Sequence, residues 1–378
     1  SQLFAMGYTF PEVFTVKAAD GITDLFGVMY KPFDFDSTKV YPIVDYVYPG
    51  PQVEAVYYPF TRMSVRTDRL AQAGFIVISV GQRGGHPSRS KWYHNYGYGN
   101  MRDYPLEDHK YAIEQLANRH SFIDIDKVGI HGHSGGGFMS TAAICQYPDF
   151  FKVAVSCAGN HDNRIYNRWW SETHHGVKEE VSAKGDTSFV YKIGTNPEIA
   201  SKLKGHLLLV HGDIDDNVHP GNTTRVVNAL IKAGKRFDML MLPNQRHGFG
   251  DMNEYFYWRL VDYFSEHLKG QSEKSVDIPS EDIQKSSSGK LSLDWLRRNK
   301  FRLRPSHRKR WAHGQKSTGL LTYRSRLPLM SRGRPHHPNL PYCAVLVKNK
   351  RPTLKGWSFI FYHLSSDDTV SFLRPRRR

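Results

Sequence analysis

The chain of 378 residues, with 39% hydrophobic and 23% charged residues, has the composition of an ordinary globular protein and is long enough for one large domain or two medium ones. No apolar run is long enough to cross a bilayer, and no signal-peptide pattern follows Ser1, so we expect neither feature. Three cysteines are too few for a disulfide framework and lack metal-ligand spacing. The formal net charge of +16 is typical of a nucleic-acid binder, but its meaning depends on where in the chain the charged residues lie.

The basic excess lies entirely at the end of the chain. Residues 271–378 contain 24 Lys and Arg against 7 Asp and Glu, whereas residues 1–270 have a balance of −1. The tail lacks lasting periodicity and is predicted to be a disordered appendage; a basic arm for nucleic acid or an anionic surface is the alternative. We therefore predict a folded body at 1–270, with no nucleic-acid partner, and a separate tail at 271–378.

Strand-like and helix-like segments alternate along the body. Short runs rich in Val, Ile and Leu predict strands at 40–47, 74–80, 127–131, 152–157, 207–211 and 237–242. Helix-like stretches lie between them at 61–73, 105–119, 136–146, 220–233 and 252–268. This alternation predicts an α/β fold, with a mostly parallel, doubly wound sheet and helices on both faces. The segment before Lys39 adds antiparallel strands at one edge, and residues 159–204 are expected to form a cap-like excursion.

The most informative motif is Gly-His-Ser-Gly-Gly at 132–136, with an apolar strand before it and an apolar helix after it. This arrangement is typical of a nucleophile elbow, in which Ser134 sits on a sharp turn at the strand end. Glycines two residues on either side of Ser134 let the strand and the helix approach closely. The helix N-terminus behind the serine favours developing negative charge.

A serine nucleophile needs a base, and the base needs a third group to orient it. In an α/β-hydrolase these follow in the order Ser, Asp, His at the ends of later strands. His247 follows the strand at 237–242 and is the predicted base. The loop after the strand at 207–211 offers three acids, and spacing alone does not choose between them: Asp213, Asp215 and Asp216. The histidines at 131, 133 and 211 are expected to be structural neighbours.

Acyl transfer also requires donors for the developing oxyanion. The backbone N–H of Gly135, which follows the nucleophile, is one predicted donor. The loop after the first parallel strand contains Tyr48, whose phenolic O–H is a candidate for the second; a purely packing role for this tyrosine is the alternative.

The body resembles the catalytic domain of prolyl oligopeptidase-type serine peptidases, in the dipeptidyl peptidase IV branch. The matching stretches occur in the family's order over most of residues 12–268: Val-Tyr-Pro-Gly-Pro at 47–51, Gly-Gln-Arg-Gly-Gly at 81–85, the serine motif, His-Gly-Asp-Ile-Asp-Asp-Asn-Val-His at 211–219 and His-Gly-Phe at 247–249. The resemblance implies the α/β-hydrolase fold, with Ser134 as nucleophile, His247 as base and Asp215 as the acid.

The resemblance also implies roles for residues that spacing leaves open. It makes Tyr48 an oxyanion donor and Asn217 a residue that binds the substrate carbonyl. Tyr166 and Trp170 fall near the aromatic pair that walls the family's proline pocket; the alternative is an ordinary aromatic cluster. No metal or organic cofactor is expected.

Two departures from the family shape the expected substrate. Gly135 replaces the tyrosine that typically follows the nucleophile, and only about a dozen residues precede Val13, where the family's peptidases have a β-propeller that helps to hold the peptide's amino terminus. We therefore expect an open site and, first, a carboxylic-ester hydrolase acting on feruloyl, aryl or acetyl esters. A dipeptidyl peptidase or prolyl oligopeptidase-type serine peptidase, acting on short peptides, is the alternative. The oligomeric state and the compartment stay open.

Overall fold

The computed structural model describes residues 4, 7–50, 53–54, 56, 66–176, 178–190, 193–272 and 277–278, together with the backbone of two strands between 344 and 361. The chain divides into two compact units, Ser1–Pro305 and Ser306–Arg378. In the described part of the second unit, two short strands pair antiparallel. Most of the tail that the sequence predicts to be disordered lies outside the described residues.

The elements follow the alternation that the sequence predicts. The strands are β1 (Glu12–Lys17), β2 (Asp24–Tyr30), β3 (Tyr41–Tyr46), β4 (Pro49–Gly50), β5 (Val53–Glu54), β6 (Ile76–Val80), β7 (Ile123–His133), β8 (Phe151–Cys157), β9 (Lys178–Val181), β10 (Thr187–Val190), β11 (His206–Gly212), β12 (Asp238–Leu242), β13 (Ala344–Val347) and β14 (Ser358–Phe361). The helices are α1 (Asp68–Ala71), α2 (Lys91–His94), α3 (Leu106–Arg119), α4 (Gly135–Gln146), α5 (Arg168–His175), α6 (Gly221–Lys232) and α7 (Asn253–Lys269). Short 3₁₀ turns lie at Asn95–Gly97, Pro197–Lys202 and Gly250–Met252.

An eight-stranded sheet in the order β1-β2-β6-β3-β7-β8-β11-β12 forms the centre of the first unit. The six strands from β6 to β12 in this order pair in parallel, as predicted. Strands β1 and β2 pair antiparallel at one edge, which confirms the expectation for the segment before Lys39. The predicted α/β fold with a mostly parallel sheet is therefore confirmed. No helix of the described part is long and apolar enough to span a membrane.

Two apolar layers cover the two faces of the sheet. Neighbouring residues of β3 divide between them: Ile43 packs with α3, α4 and α6, whereas Val44 packs with α1 and α7. Because side chains alternate along a strand, each nearly continuous apolar strand supplies both layers at once. This burial fixes the strands rigidly, so that the loops at their carboxyl ends have defined positions.

One predicted helix is only partly described, and its described part begins later and ends earlier than predicted. The sequence predicts a helix at 61–73, but the described part contains only α1, and residues 61–65 lie outside it. Thr67 has φ −128° and ψ −97°, which are not helical, so the helix begins after it. Gly74, with φ +87°, lies beyond its end. Strand β7 is longer than predicted at both ends, since it spans Ile123–His133 rather than 127–131.

The segment 159–204 leaves the sheet after β8 and returns at β11. Its described elements are α5, the antiparallel pair β9 and β10, and the 3₁₀ turn Pro197–Lys202. The strands β9 and β10 form a sheet of their own, so this segment adds no strand to the central sheet in the described part of the chain.

Candidate active site

Ser134 stands on a strained turn between β7 and α4. Its φ angle is 59°, a left-handed conformation that costs a non-glycine residue on the order of 1–3 kcal/mol. Backbone hydrogen bonds hold the turn: the Ser134 N–H donates to the Cys157 carbonyl at 2.8 Å, and the Phe138 N–H donates to the Ser134 carbonyl at 3.0 Å. The serine is partly exposed at the carboxyl end of the sheet.

Gly132 and Gly136 allow the close approach of backbone around Ser134. A Cβ atom on Gly132 would lie 2.6 Å from the Gly136 Cα and 2.3 Å from the Val47 carbonyl oxygen. A Cβ atom on Gly136 would lie 2.1 Å from the same oxygen. Because the obstructing atoms belong to the backbone, they cannot swing aside, and only glycine fits at either position. The predicted reason for the two glycines of the motif is thereby confirmed.

The two predicted oxyanion donors lie beside this turn. Gly135 is the first residue of α4, where the backbone N–H groups have no carbonyl partner within the helix and the helix dipole is positive. Tyr48 follows β3, and a Cβ atom on Gly136 would lie 3.6 Å from its Cα. Its side chain is partly exposed. The fold therefore brings Tyr48 and Gly135 to the same end of the sheet as Ser134.

Asp215 and His247 are joined across the loops that follow β11 and β12. The His247 Nδ1 lies 2.7 Å from the Asp215 Oδ2, and the His211 Nε2 lies 3.2 Å from the same oxygen. The backbone N–H groups of Asn217 and Val218 each donate to the Asp215 Oδ1 at 3.0 Å. Burial alone would raise the pKa of the Asp215 carboxyl, but the hydrogen bonds from His211, His247 and Val218 hold that pKa well below its ordinary value.

The structure distinguishes the three candidate acids that spacing left open. Asp215 is buried and contacts His247. Asp216 is exposed and pairs with Arg246, and Asp213 is exposed. Asp215 is thus the one of the three that the structure places against the imidazole, which agrees with the family resemblance.

The other histidines of the motifs are buried neighbours, as expected, and two of them contact the candidate catalytic groups. The His133 ring packs edge-on against His247, with ring centroids 4.7 Å apart. Burial lowers the pKa of His133 well below its ordinary value, and the nearby positive charges of Arg66 and His247 act in the same direction. Burial also lowers the pKa of His131 to about 3. His133, the residue before Ser134, therefore packs on the His247 ring and limits its movement.

Residues of the segment 159–204 contact the loop after β11, which carries Asp215 and Asn217. The Tyr166 hydroxyl donates to the Asn217 Oδ1 at 3.3 Å, and the Tyr166 and Trp170 rings pack edge-to-face with centroids 5.4 Å apart. Trp170 in turn packs against His174, one turn further along α5. The structure thus brings together the three residues predicted to bind substrate: Asn217, Tyr166 and Trp170.

The loop after β6 is held by a buried ion pair that the sequence analysis missed. The Arg83 guanidinium contacts Asp108 of α3 at 2.7 Å, and the Arg83 backbone N–H donates to the same carboxylate at 2.9 Å. Gly84 has φ +89°, and a Cβ atom there would lie 2.3 Å from the Tyr104 ring. The Gly-Gln-Arg-Gly-Gly motif is therefore an anchored turn. Nothing in the sequence around Asp108 marks it as the partner.

Within the described residues, no group of three or more His, Cys, Asp or Glu side chains could hold a metal ion. The arrangement combines a serine on a strained turn, an imidazole that Asp215 orients and that packs on the residue before the serine, and donors at a helix end. Such a set can attack a carbonyl carbon and stabilise the resulting oxyanion.

Known proteins share this domain. The sequence model of the prolyl oligopeptidase family (peptidase family S9) matches residues 61–271. Human dipeptidyl peptidase 8 is 33% identical over 267 residues, which cover 69% of this chain and 29% of that protein. The chain thus spans less than a third of the length of this curated relative.

Two solved structures are also similar. A putative dipeptidyl aminopeptidase IV from Bacteroides ovatus superposes with a TM-score of 0.61 and 30% identity, covering 69% of this chain and 36% of the other. Dipeptidyl peptidase 4 from Porphyromonas gingivalis gives a TM-score of 0.60 and 27% identity, with the same shares covered. The comparisons support the peptidase alternative better than the ester hydrolase that the sequence analysis put first, and nothing in them supports the ester substrate.

Proposed function

Because this chain belongs to the prolyl oligopeptidase family, we propose that residues 1–270 are the catalytic domain of a serine peptidase that releases dipeptides from the amino end of peptides. The names of the human relative and of the two similar structures support this substrate class. The observation that carries the proposal is the geometry at His247: its ring is hydrogen-bonded to Asp215 and packs on His133, the residue before Ser134.

In the proposed reaction His247 takes the proton from the Ser134 hydroxyl, and the serine oxygen attacks the carbonyl carbon of the scissile bond. Asp215 keeps the imidazole in the tautomer whose free nitrogen accepts that proton, and it stabilises the imidazolium that forms. His247 then gives the proton to the leaving amine. Water repeats the sequence on the acyl-enzyme and releases the dipeptide.

The negative charge of the tetrahedral intermediate falls on the former carbonyl oxygen. The Gly135 N–H and the Tyr48 hydroxyl are the proposed donors to that oxygen. Gly135 stands at the N-terminus of α4, whose dipole adds to its effect, and the Tyr48 backbone lies beside Gly136. Their hydrogen bonds form only as charge develops, so they lower the barrier rather than strengthen substrate binding.

Tyr166, Trp170 and Asn217 are the proposed acyl-side contacts. The two aromatic rings offer flat apolar walls for a compact ring such as proline. The Tyr166 hydroxyl donates a hydrogen bond to the Asn217 Oδ1. The Asn217 side-chain N–H groups are therefore oriented to donate to a peptide carbonyl. A cap at 159–204 would hold this pocket over Ser134.

The proposed domain boundary falls after Gly270, which ends α7 in the left-handed conformation, with φ +66°. The residues beyond it carry the basic excess, and the few of them that the structure describes do not contact Ser134, Asp215 or His247. Removal of residues 271–378 is expected to leave kcat/KM unchanged, as measured with the same substrate before and after truncation. If the truncated chain is folded but inactive, the boundary is misplaced.

Three chromogenic or ultraviolet-detected substrates test the reaction class: glycyl-prolyl-p-nitroanilide, p-nitrophenyl acetate and ethyl ferulate. We expect anilide cleavage with a higher kcat/KM than ethyl ferulate hydrolysis, and loss of both in Ser134→Ala. The exposed Ser201→Ala is the matched control and should behave as the unaltered chain. Hydrolysis of the esters without detectable cleavage of the anilide would contradict the proposed peptidase activity.

Mass spectrometry of a digest of Gly-Pro-Ala-Ala-Leu tests the position of cleavage. The expected products are Gly-Pro and Ala-Ala-Leu. Acetylation of the peptide's amino group should change the rate only if residues 1–270 themselves bind that group. Cleavage at another bond would contradict dipeptide release and would indicate a different peptidase specificity.

A further inference from the structure

A buried carboxylate links the segment 159–204 to helix α6. Asp162, in the loop after β8, is fully buried. The Arg225 Nη1 of α6 donates to its Oδ2 at 2.5 Å. Arg164, two residues along the same loop, donates to both carboxylate oxygens, at 2.8 and 2.9 Å. The Asp162 carboxylate therefore has one charged partner on its own loop and one on α6.

Further contacts hold the same loop to the first turn of α6. The Asp162 backbone N–H donates to the Asn222 Oδ1 at 3.0 Å, and the Asn222 Nδ2 donates to the His219 carbonyl at 3.3 Å. The Ile165 side chain lies beside the start of the helix, since a Cβ atom on Gly221 would be 3.9 Å from its Cδ1. The loop is thus docked on α6 by a charged, a polar and an apolar contact.

Asp162 keeps its negative charge in this position. Burial alone would raise the pKa of its carboxyl, but the hydrogen bonds from Arg164 and Arg225 hold that pKa below its ordinary value. A buried carboxylate is costly without charged partners. Because Arg164 moves with the loop, Arg225 is the partner that fixes the loop to α6.

The two ends of this link carry two of the proposed acyl-side contacts. Tyr166 follows Asp162 by four residues, just after a turn in which the Ile165 N–H donates to the Asp162 carbonyl at 3.0 Å. Asn217 lies four residues before the start of α6. The hydrogen bond between the Tyr166 hydroxyl and the Asn217 Oδ1 is long, at 3.3 Å, and Asn217 is exposed. This bond alone is a weak restraint, so the contacts beneath it must set the distance between the two side chains.

We propose that Asp162 and Arg225 are positioning residues for the acyl pocket: their ion pair holds Tyr166 beside Asn217 and thereby sets the preference for a proline ring. The identity of this pocket rests on the proposed function, whereas the ion pair does not. Loss of the pair lets the Tyr166 loop move on α6 without displacing Ser134. The effect should therefore fall on the KM of substrates with a proline acyl group and spare those with a small acyl group.

Two esters with the same leaving group isolate the acyl pocket: p-nitrophenyl acetate and the p-nitrophenyl ester of N-acetylproline. Both require the serine, and neither requires peptidase activity. The ratio of their kcat/KM values, measured on the full chain, therefore reports acyl recognition. We expect the unaltered chain to prefer the proline ester. Arg225→Met should lower that preference about three- to tenfold through a higher KM, with acetate turnover unchanged within about twofold.

The variants are chosen to preserve the fold. In Arg225→Met, the Asp162 carboxylate keeps Arg164, so no buried charge is left without a partner. Arg225 contacts Asp162 through one nitrogen, so Arg225→Lys should retain the preference within about twofold. Lys232→Met, at an exposed cation at the end of α6, is the matched control and should leave both esters unaffected.

A double-mutant cycle tests whether Arg225 acts through Tyr166. Tyr166→Ala removes the side chain that the ion pair is proposed to position. In that background, Arg225→Met should lower the preference by less than about twofold further. The same fold-loss in both backgrounds would show that Arg225 acts by another route, and it would overturn the positioning role.

The remaining outcomes separate this role from the peptidase activity. An unaltered chain without preference for the proline ester, a preference that survives Arg225→Met, or parallel loss of both esters overturns the positioning role. The KM for glycyl-prolyl-p-nitroanilide should rise in Arg225→Met by the same factor as that for the proline ester. A lowered ester preference, in a chain that never cleaves the anilide, supports the positioning role and overturns the peptidase. Anilide cleavage with an unchanged ester preference does the reverse.

Discussion

Replacing Asp215 with Asn tests the proposed role of His247 directly. The Asn oxygen can still accept the N–H groups of Asn217 and Val218, but its NH₂ group would face the His247 Nδ1, which now donates to a carboxylate oxygen at 2.7 Å. Two donors repel, so the imidazole must lose this bond or move its proton to Nε2. With a proton on Nε2, the ring cannot accept one from Ser134.

The expected loss in kcat is about 10⁴-fold, which corresponds to about 5 kcal/mol of barrier. The KM should change far less, because Asp215 is buried and does not reach the substrate surface. The assay is steady-state hydrolysis of glycyl-prolyl-p-nitroanilide, with far-ultraviolet circular dichroism to show that the variant is folded. Asp216→Asn, one residue along and exposed, is the matched control and should retain activity.

A folded Asp215→Asn variant that keeps more than about a tenth of the unaltered kcat would refute this reasoning, because a base in the wrong tautomer cannot be that active.

The pH dependence of the free energy of unfolding gives a second readout for the same substitution. The pKa of Asp215 is lowered on folding, so its carboxylate stabilises the native state above the ordinary Asp pKa, and this stabilisation is lost as the pH falls below about 4. In urea titrations, the variant should therefore lose less stability on acidification than the unaltered chain.

Three further substitutions give separate readouts. Tyr48→Phe removes only a hydroxyl and should lower kcat by about 10²-fold with little change in KM, as measured with the same anilide; an unchanged kcat would leave Tyr48 a packing residue. Gly136→Ala places a Cβ 2.1 Å from the Val47 carbonyl oxygen, and thermal unfolding should show a loss of more than about 2 kcal/mol or failure to fold. Arg83→Met leaves the buried Asp108 carboxylate with backbone N–H donors but without its charged partner, and should cost about 3–5 kcal/mol in urea unfolding; a smaller loss would show that the ion pair contributes little to stability.

The sequence predicted the fold well because its main signals are local. Every predicted parallel strand is a short apolar run, and all but the edge strand β12 are largely buried in the sheet. The glycines of the serine motif were also decisive, since at positions 132 and 136 any Cβ atom would collide with backbone atoms. Within the described residues the predicted helix at 61–73 begins only after Thr67, because helical spacing does not reveal a residue whose backbone is not helical.

Contacts between distant segments were beyond what spacing can show. The choice of Asp215 over Asp213 and Asp216 depends on how one loop turns, and the residues alone left it open. The Arg83–Asp108 pair joins residues that are 25 apart, and no periodicity relates them.

The comparisons do not support the preference for ester substrates over peptides. That preference rested on Gly135 and on the short segment ahead of Val13, and neither identifies the carbonyl that Ser134 attacks. Esters and amides share the nucleophile and the oxyanion donors, and they differ in how much the leaving group must be held and protonated. That difference lies in the residues on the leaving side.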